Sequence, residues 1–139
     1  MNPFPDLEEF PEIWLVHIGE PQANSLRLEI GAPLPWDGGP HRPGILDRQP
    51  PAPAPTATFE ILFEWYVAYT VRNECFSFTD DTEVFQGRIA VVYTRSKFLD
   101  FVRLSTGGFD DPLTHFGFFC ADHTIDVVTA HVPTIRRIA

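Results

Sequence analysis

Three groupings in the chain carry side chains that could do chemistry. The first is Arg72-Asn73-Glu74, which follows a long apolar stretch and precedes Phe76 and Phe78. A guanidinium and a carboxylate beside aromatic rings, at the end of a buried strand, stand where a pocket mouth or an interface forms, although turn chemistry explains them equally well. Arg72 and Glu74 are therefore candidate binding groups, and His115, from a later strand, is a third.

The second grouping, Cys120-Ala121-Asp122-His123, spaces a thiol and an imidazole as two zinc ligands are spaced. A structural zinc needs four ligands, and Cys75, His115 and His131 make no second pair at that spacing, so no metal and no cofactor are expected. Neither cysteine reads as a nucleophile. Cys120 ends the run Phe116-Gly117-Phe118-Phe119, whose apolar surroundings raise a thiol pKa, and Cys75 has the carboxylate of Glu74 beside it. The third grouping, Asp80-Asp81-Thr82-Glu83, lacks the glycine and the ligand spacing of a calcium loop and reads as a solvated hairpin tip. A glycosidase pair drawn from Glu74 and Asp80 or Asp81 depends on a separation in space that sequence does not give. There is no G-x-S-x-G, H-E-x-x-H, P-loop or G-x-G-x-x-G.

Charge narrows the partners. Ten basic against 19 acidic residues give a formal net charge of -9, which leaves no basic face for a phosphate backbone and argues against nucleic acid. The acidic residues cluster at Asp6-Leu7-Glu8-Glu9, at 80–83 and at Asp110-Asp111, with aromatics nearby. Phe109, Asp110 and Asp111 are accordingly candidate contacts to a basic protein, and Trp36 is a second loop aromatic of the same kind. The N-terminal residues have neither a basic start nor an apolar run, and no stretch approaches the roughly 18 apolar residues of a membrane helix, so a cytoplasmic chain with reduced thiols and no membrane contact is expected.

The elements that must hold these groups follow from periodicity and from proline. Twelve of the 14 prolines lie in residues 1–55, which predicts that this third decorates the core rather than forming it. One exception is an N-terminal hairpin of residues 13–18 and 25–30, where Leu26, Leu28 and Ile30 alternate with Arg27 and Glu29. Residues 31–57, with eight prolines and four glycines, predict a long loop or linker. Residues 58–139 predict the folding unit of a single domain. Phe59, Ile61, Phe63, Trp65, Val67, Tyr69 and Val71 describe one long strand that pairs with a second at 86–94. An amphipathic helix over 97–105 follows, capped by Ser96 and stopped by Gly107-Gly108, with Phe98, Phe101 and Val102 toward the sheet. Strands over 114–121 and 124–130, and an extended piece over 134–138, complete the chain. The expected class is α+β: a mostly antiparallel, twisted sheet with a β-β-α-β-β core and one helix on a face.

Size, acidity and missing motifs together favour a small acidic binding protein, in the manner of a toxin-neutralising immunity protein that inhibits a basic partner. The alternatives are a small-molecule or enzymatic pocket between sheet and helix using Arg72, Glu74 and His115, and a homodimer joined through sheet aromatics.

Overall fold

The computed structural model describes residues 3–34, 56–107 and 110–139. These form nine strands and one α-helix: β1 (Trp14–Gly19), β2 (Leu26–Pro33), β3 (Thr56–Phe63), β4 (Ala68–Asn73), β5 (Val84–Gln86), β6 (Ala90–Arg95), α1 (Lys97–Ser105), β7 (Thr114–Cys120), β8 (His123–Thr129) and β9 (Thr134–Arg137). Mostly antiparallel sheet with one helix is the α+β class the sequence predicts. The strands divide into two sheets, ordered β1-β2-β3-β9 and β4-β8-β7-β6-β5, rather than into one sheet with a β-β-α-β-β core.

Alternation builds the space between the sheets. Leu26, Leu28, Ile30 and Ala32 of β2 are fully buried, and they meet Ala57, Phe59, Ile61 and Phe63 of β3 across an unbroken antiparallel register. From the other sheet come Phe116, Phe118, Ile125 and Val127. Phe4 packs edge-on against Phe118 with ring centroids 5.1 Å apart, and Phe63 tilts against Phe116 at 5.8 Å. The N-terminal third is thus part of the core, contrary to the proline argument. Its prolines sit at residues 3, 5 and 11, in the turn at 21, and from 33 onward, so an average over 55 residues hides β2, which meets a proline only at its last residue, Pro33. Residues 35–55, which hold most of the predicted loop and Trp36, lie outside the described residues.

The single long strand over 59–71 does not form. It breaks at Glu64–Val67, and β3 and β4 belong to different sheets. The corner is pinned from both sides: the Tyr66 amide donates to Asn24 O (3.1 Å), the Val67 amide to Val128 O (2.8 Å), and Thr129 Oγ1 to Trp65 O (2.6 Å). Alternation does not register a corner when apolar residues continue through it, because both halves face the same core. The expected pairing with residues 86–94 is also replaced. β4 pairs β8, while β6 lies between β7 and the short β5.

Helix α1 spans the predicted residues, and Ser96 caps it by accepting from the Leu99 amide at 3.0 Å. Its buried stripe is Leu99 and Val102, with Phe98 partly covered; these pack on Leu113, Val128, Val67 and Ala68. Phe101 is 62% exposed, against expectation. At 3.6 residues per turn it lies roughly 130° around the helix from the midpoint of Leu99 and Val102. No described helix is long and apolar enough to cross a membrane.

Candidate functional site

Residues paired across an antiparallel sheet point to the same side, so the register of the five-stranded sheet fixes what its outer face presents. Arg72, Thr124 and Phe119 form one row, and Thr70, Asp126, Gly117 and Val91 the next. Ala68, Val128, His115, Tyr93 and Phe85 form the third. The intervening residues, Phe116, Phe118, Ile125 and Val127, fill the core from the other side. Helix α1 covers one end of this outer face. The segment between β4 and β5, which begins as a 3-10 turn over Glu74–Phe76, lies beside the rest.

At the centre sits Asp126, with its side chain only 2% exposed. Aspartate is almost never buried to this degree without partners, and here it has three. Its Oδ1 lies 2.7 Å from His115 Nε2, and its Oδ2 accepts from Arg72 Nη2 at 3.1 Å and from Thr70 Oγ1 at 3.4 Å. With the carboxylate accepting from Nε2, His115 Nδ1 is left to accept from the Ser96 hydroxyl 2.6 Å away, and Ser96 Oγ in turn accepts from the Leu99 amide. One chain of bonds therefore runs from the helix N-terminus through the sheet to a partly exposed arginine. Tyr93 stacks on the His115 ring, 4.0 Å between centroids and 11° between planes. The close approach needs Gly117, where a Cβ would stand 2.8 Å from Tyr93 Cε2 and 2.9 Å from Val91 Cγ2.

Serine, histidine and aspartate joined in this order resemble a hydrolytic triad, but the arrangement does not present a nucleophile. Ser96 is 2% exposed and already caps α1, and it does not line the cleft beside the network. An attacking oxygen must reach its substrate. The geometry braces the helix against the sheet.

Two hollows flank the network. The larger, of about 630 Å³, lies along Phe85, Ile89, Phe119 and Thr124, with Glu74 and Arg88 also on its wall. The smaller, of about 380 Å³, lies along Thr70, Phe76, Phe98, His115 and Asp126, with Lys97 also on its wall. Arg72, Phe78 and Tyr93 line both, so the two meet at those three residues. Phe76 and Phe78 are 80% and 72% exposed at this cleft. The Tyr93 hydroxyl is held well above its ordinary pKa by burial and by the nearby carboxylates of Asp126 and Glu83, so it remains protonated.

Of the predicted site residues, the fold thus brings Arg72, Glu74 and His115 to one cleft. Glu74 holds the hairpin turn opposite, its Oε2 accepting from the Asp122 amide at 3.0 Å. Asp110 and Asp111 are exposed and elsewhere: Asp111 lines a separate hollow with Glu64, Trp65 and His131. Phe109 lies outside the described residues. The acidic run at 80–83 is not merely solvated. Asp80 pairs with Lys97 at 2.7 Å and bonds Thr82, which holds its carboxyl down to about 2, and Glu83 Oε2 accepts from the Lys97 amide at 3.3 Å. Among the described residues no three His, Cys, Asp or Glu side chains are grouped to hold a metal. Cys75 is exposed, whereas Cys120 is buried, which pushes its thiol up to about 12.

Asp126, Tyr93 and Gly117 were not singled out in the sequence as site residues, and Ser96 was read only as the cap of α1. Asp126 carried a cue only on its own face of the strand, where Thr124 and Val128 are its neighbours: a carboxylate there, once covered, must find a partner. No protein-family model, curated protein or solved structure matches this chain.

Proposed function

We propose that the protein binds a small molecule in the cleft on the outer face of its five-stranded sheet, between α1 and the segment that follows β4. The observation that carries this reading is the meeting of two hollows at Arg72, Phe78 and Tyr93: a half-exposed cation, an exposed ring and a phenol converge on one concave site. Ligand sites combine apolar walls with a few placed polar groups in this way, and their usual volume of about 300–1,000 Å³ brackets both hollows. The buried Ser96–His115–Asp126 chain supports binding rather than turnover, because its role is to fix Arg72 and Tyr93 in place.

A fragment screen read by protein NMR tests this. Fragments that bind should shift resonances of Arg72, Phe78, Tyr93 and their neighbours together; hits scattered over the surface, or none, would remove the cleft as a site.

A second reading retains the basic protein partner, and what favours it is the exposure of Asp110 and Asp111 beside a hollow lined by Glu64 and Trp65. Glu8, Asp80 and Glu83 weigh against it. Each is engaged within the chain, Glu8 by the backbone amides of residues 88, 89 and 90. Affinity capture with the Asp110→Asn, Asp111→Asn double variant as control distinguishes the two readings.

A further inference from the structure

We infer that the ligand of this cleft is a small aromatic carboxylate, its anionic group held by Arg72 and Tyr93 and its ring by Phe78 and the neighbouring aromatics. The inference rests on the cleft being a binding site and goes further by assigning the ligand's charge and body.

The assignment follows from which polar groups in the cleft have capacity left. Asp126, the carboxylate bonded to Arg72, has both oxygens engaged by the protein, and Glu74 and Glu83 each have one. Asp126 receives His115, Arg72 and Thr70; Glu74 receives the Asp122 amide; Glu83 receives the Lys97 amide. Glu12 and Glu74 line only the larger hollow and Glu83 only the smaller, so none of the three lines the junction. Arg88 is likewise committed, to the carbonyls of Glu8, Phe10 and Pro11, and Lys97 is committed to Asp80. Arg72 differs: a guanidinium offers five N–H donors, and among the described residues its one acceptor is Asp126 Oδ2, met through Nη2. Its side chain is 47% exposed, so the remaining donors are accessible. Tyr93 adds an O–H with no acceptor among the described residues, kept protonated by its surroundings and hence a donor.

At the junction, where only Arg72, Phe78 and Tyr93 line both hollows, the spare hydrogen-bonding capacity is donor capacity centred on a cation, which calls for an acceptor-rich anion. A planar carboxylate matches the guanidinium fork. Because Asp126 takes one edge of Arg72, the arginine is oriented before any ligand arrives, and less side-chain entropy is lost on binding. The body of the ligand is set by the walls. Phe78 belongs to both hollows, and Phe76, Phe85, Phe98 and Phe119 line one or the other. Offset or edge-on contacts to these faces favour a ring over a flexible chain.

The test uses three probes that share a phenylpropyl skeleton and differ in charge: 3-phenylpropionate, 3-phenylpropionamide and 3-phenylpropylamine, each titrated into the intact chain and followed by NMR and calorimetry. The carboxylate should bind at least about tenfold more tightly than the amide, the difference expected of a charge-assisted hydrogen bond, and the amine should bind most weakly. Arg72→Gln should abolish the preference for carboxylate over amide while leaving amide affinity nearly unchanged. Phe78→Ala, a truncation of an exposed ring that leaves the fold intact, should weaken all three probes by similar factors. Equal binding of carboxylate and amide to the wild-type protein would overturn the assignment of charge and leave the cleft standing as a site. If none of the three moves the Arg72 and Tyr93 resonances at millimolar concentration while fragments of other chemistry do, the ligand class is wrong. If no fragment of any kind binds there, both readings fail.

Discussion

The two sheets share one core and differ in what they do with their outer faces. On the four-stranded sheet, charged residues of β2, β3 and β9 satisfy one another on a partly exposed face. Arg27 Nε meets Glu60 at 2.6 Å and its Nη2 meets Glu29 at 2.9 Å, while Arg136 meets the other oxygen of Glu60 at 2.8 Å. The side chains of Arg27, Glu29 and Glu60 are 29%, 24% and 12% exposed and that of Arg136 is 71% exposed, so water competes for the ladder chiefly from the Arg136 end. On the five-stranded sheet the polar residues lie under α1 and beside the segment after β4. There a carboxylate must find a donor for each oxygen, and the solution is one connected network whose exposed end is Arg72. Polar residues on a partly exposed sheet face record solubility; the same residue types on a covered face impose geometry, and a cleft beside such a network inherits rigidly placed groups.

This difference is most exposed by removing one carboxylate from each face. Asp126→Ala leaves a buried imidazole N–H without an acceptor and releases Arg72, so unfolding free energy should fall by about 3 kcal/mol. Glu60→Gln, on the partly exposed ladder, should shift a denaturant midpoint far less at neutral pH. Chemical denaturation of both variants checks the ordering, and equal losses would mean that the network in the covered face is no more demanding than the ladder.

A smaller effect should follow from filling the gap that lets Tyr93 reach His115. Gly117→Ala introduces a methyl 2.8 Å from the Tyr93 ring and 2.9 Å from Val91, and displacing that ring should cost about 1–3 kcal/mol, the usual range for overpacking. The His115 side-chain NMR signals, shifted by the stacked phenol, should move at the same time. Stability lost without any change in those signals would place the strain in the backbone and not in the stack.

How much of this was legible in the sequence depends on which link of the chain is asked for. Period-2 alternation located β2, apolar runs between turns located β7, β8 and β9, and the Ser96 cap with Gly107 bounded α1 to the residue, because each of those signals is local. Sheet membership was not local. The corner at Glu64–Val67 depends on acceptors at Asn24 and Val128, far away in sequence, and nothing in the run from Phe59 to Val71 marks it. The same holds for the site. Arg72 and Glu74 stood out as polar residues ending an apolar stretch, and His115 came from a separate strand, yet what joins Arg72 to His115 is Asp126, which alternation alone files as one more strand position. A carboxylate between Thr124 and Val128 on its own face of the strand was the one available cue, and its weight became evident only once β4, β8 and β7 stood side by side.

The smallest expected effect sharpens the contrast from the side of the partly exposed face. The Glu60 carboxyl is held down to about 2, first by its bond to Arg136 and then by that to Arg27, and Asp80 is held down to about 2 by Lys97 and Thr82. Both lie below the ordinary values of 4.5 and 3.8 for the two groups, so the folded state binds these protons more weakly than the unfolded chain does. The sign follows from linkage: the stabilisation is fully present above the ordinary values and is lost as pH falls from about 4.5 toward 2. Because the ladder is partly exposed, chiefly at Arg136, salt should reduce that loss, whereas the buried bonds of Asp126 should be screened much less. Thermal midpoints recorded for wild type and Glu60→Gln across this acidic range, at low and high ionic strength, separate the contributions. The variant should show a shallower acid slope at low salt and converge on wild type at high salt. Parallel slopes at both ionic strengths would mean that the ladder carries none of the acid sensitivity, leaving Asp80 with Lys97 and Thr82 as its source.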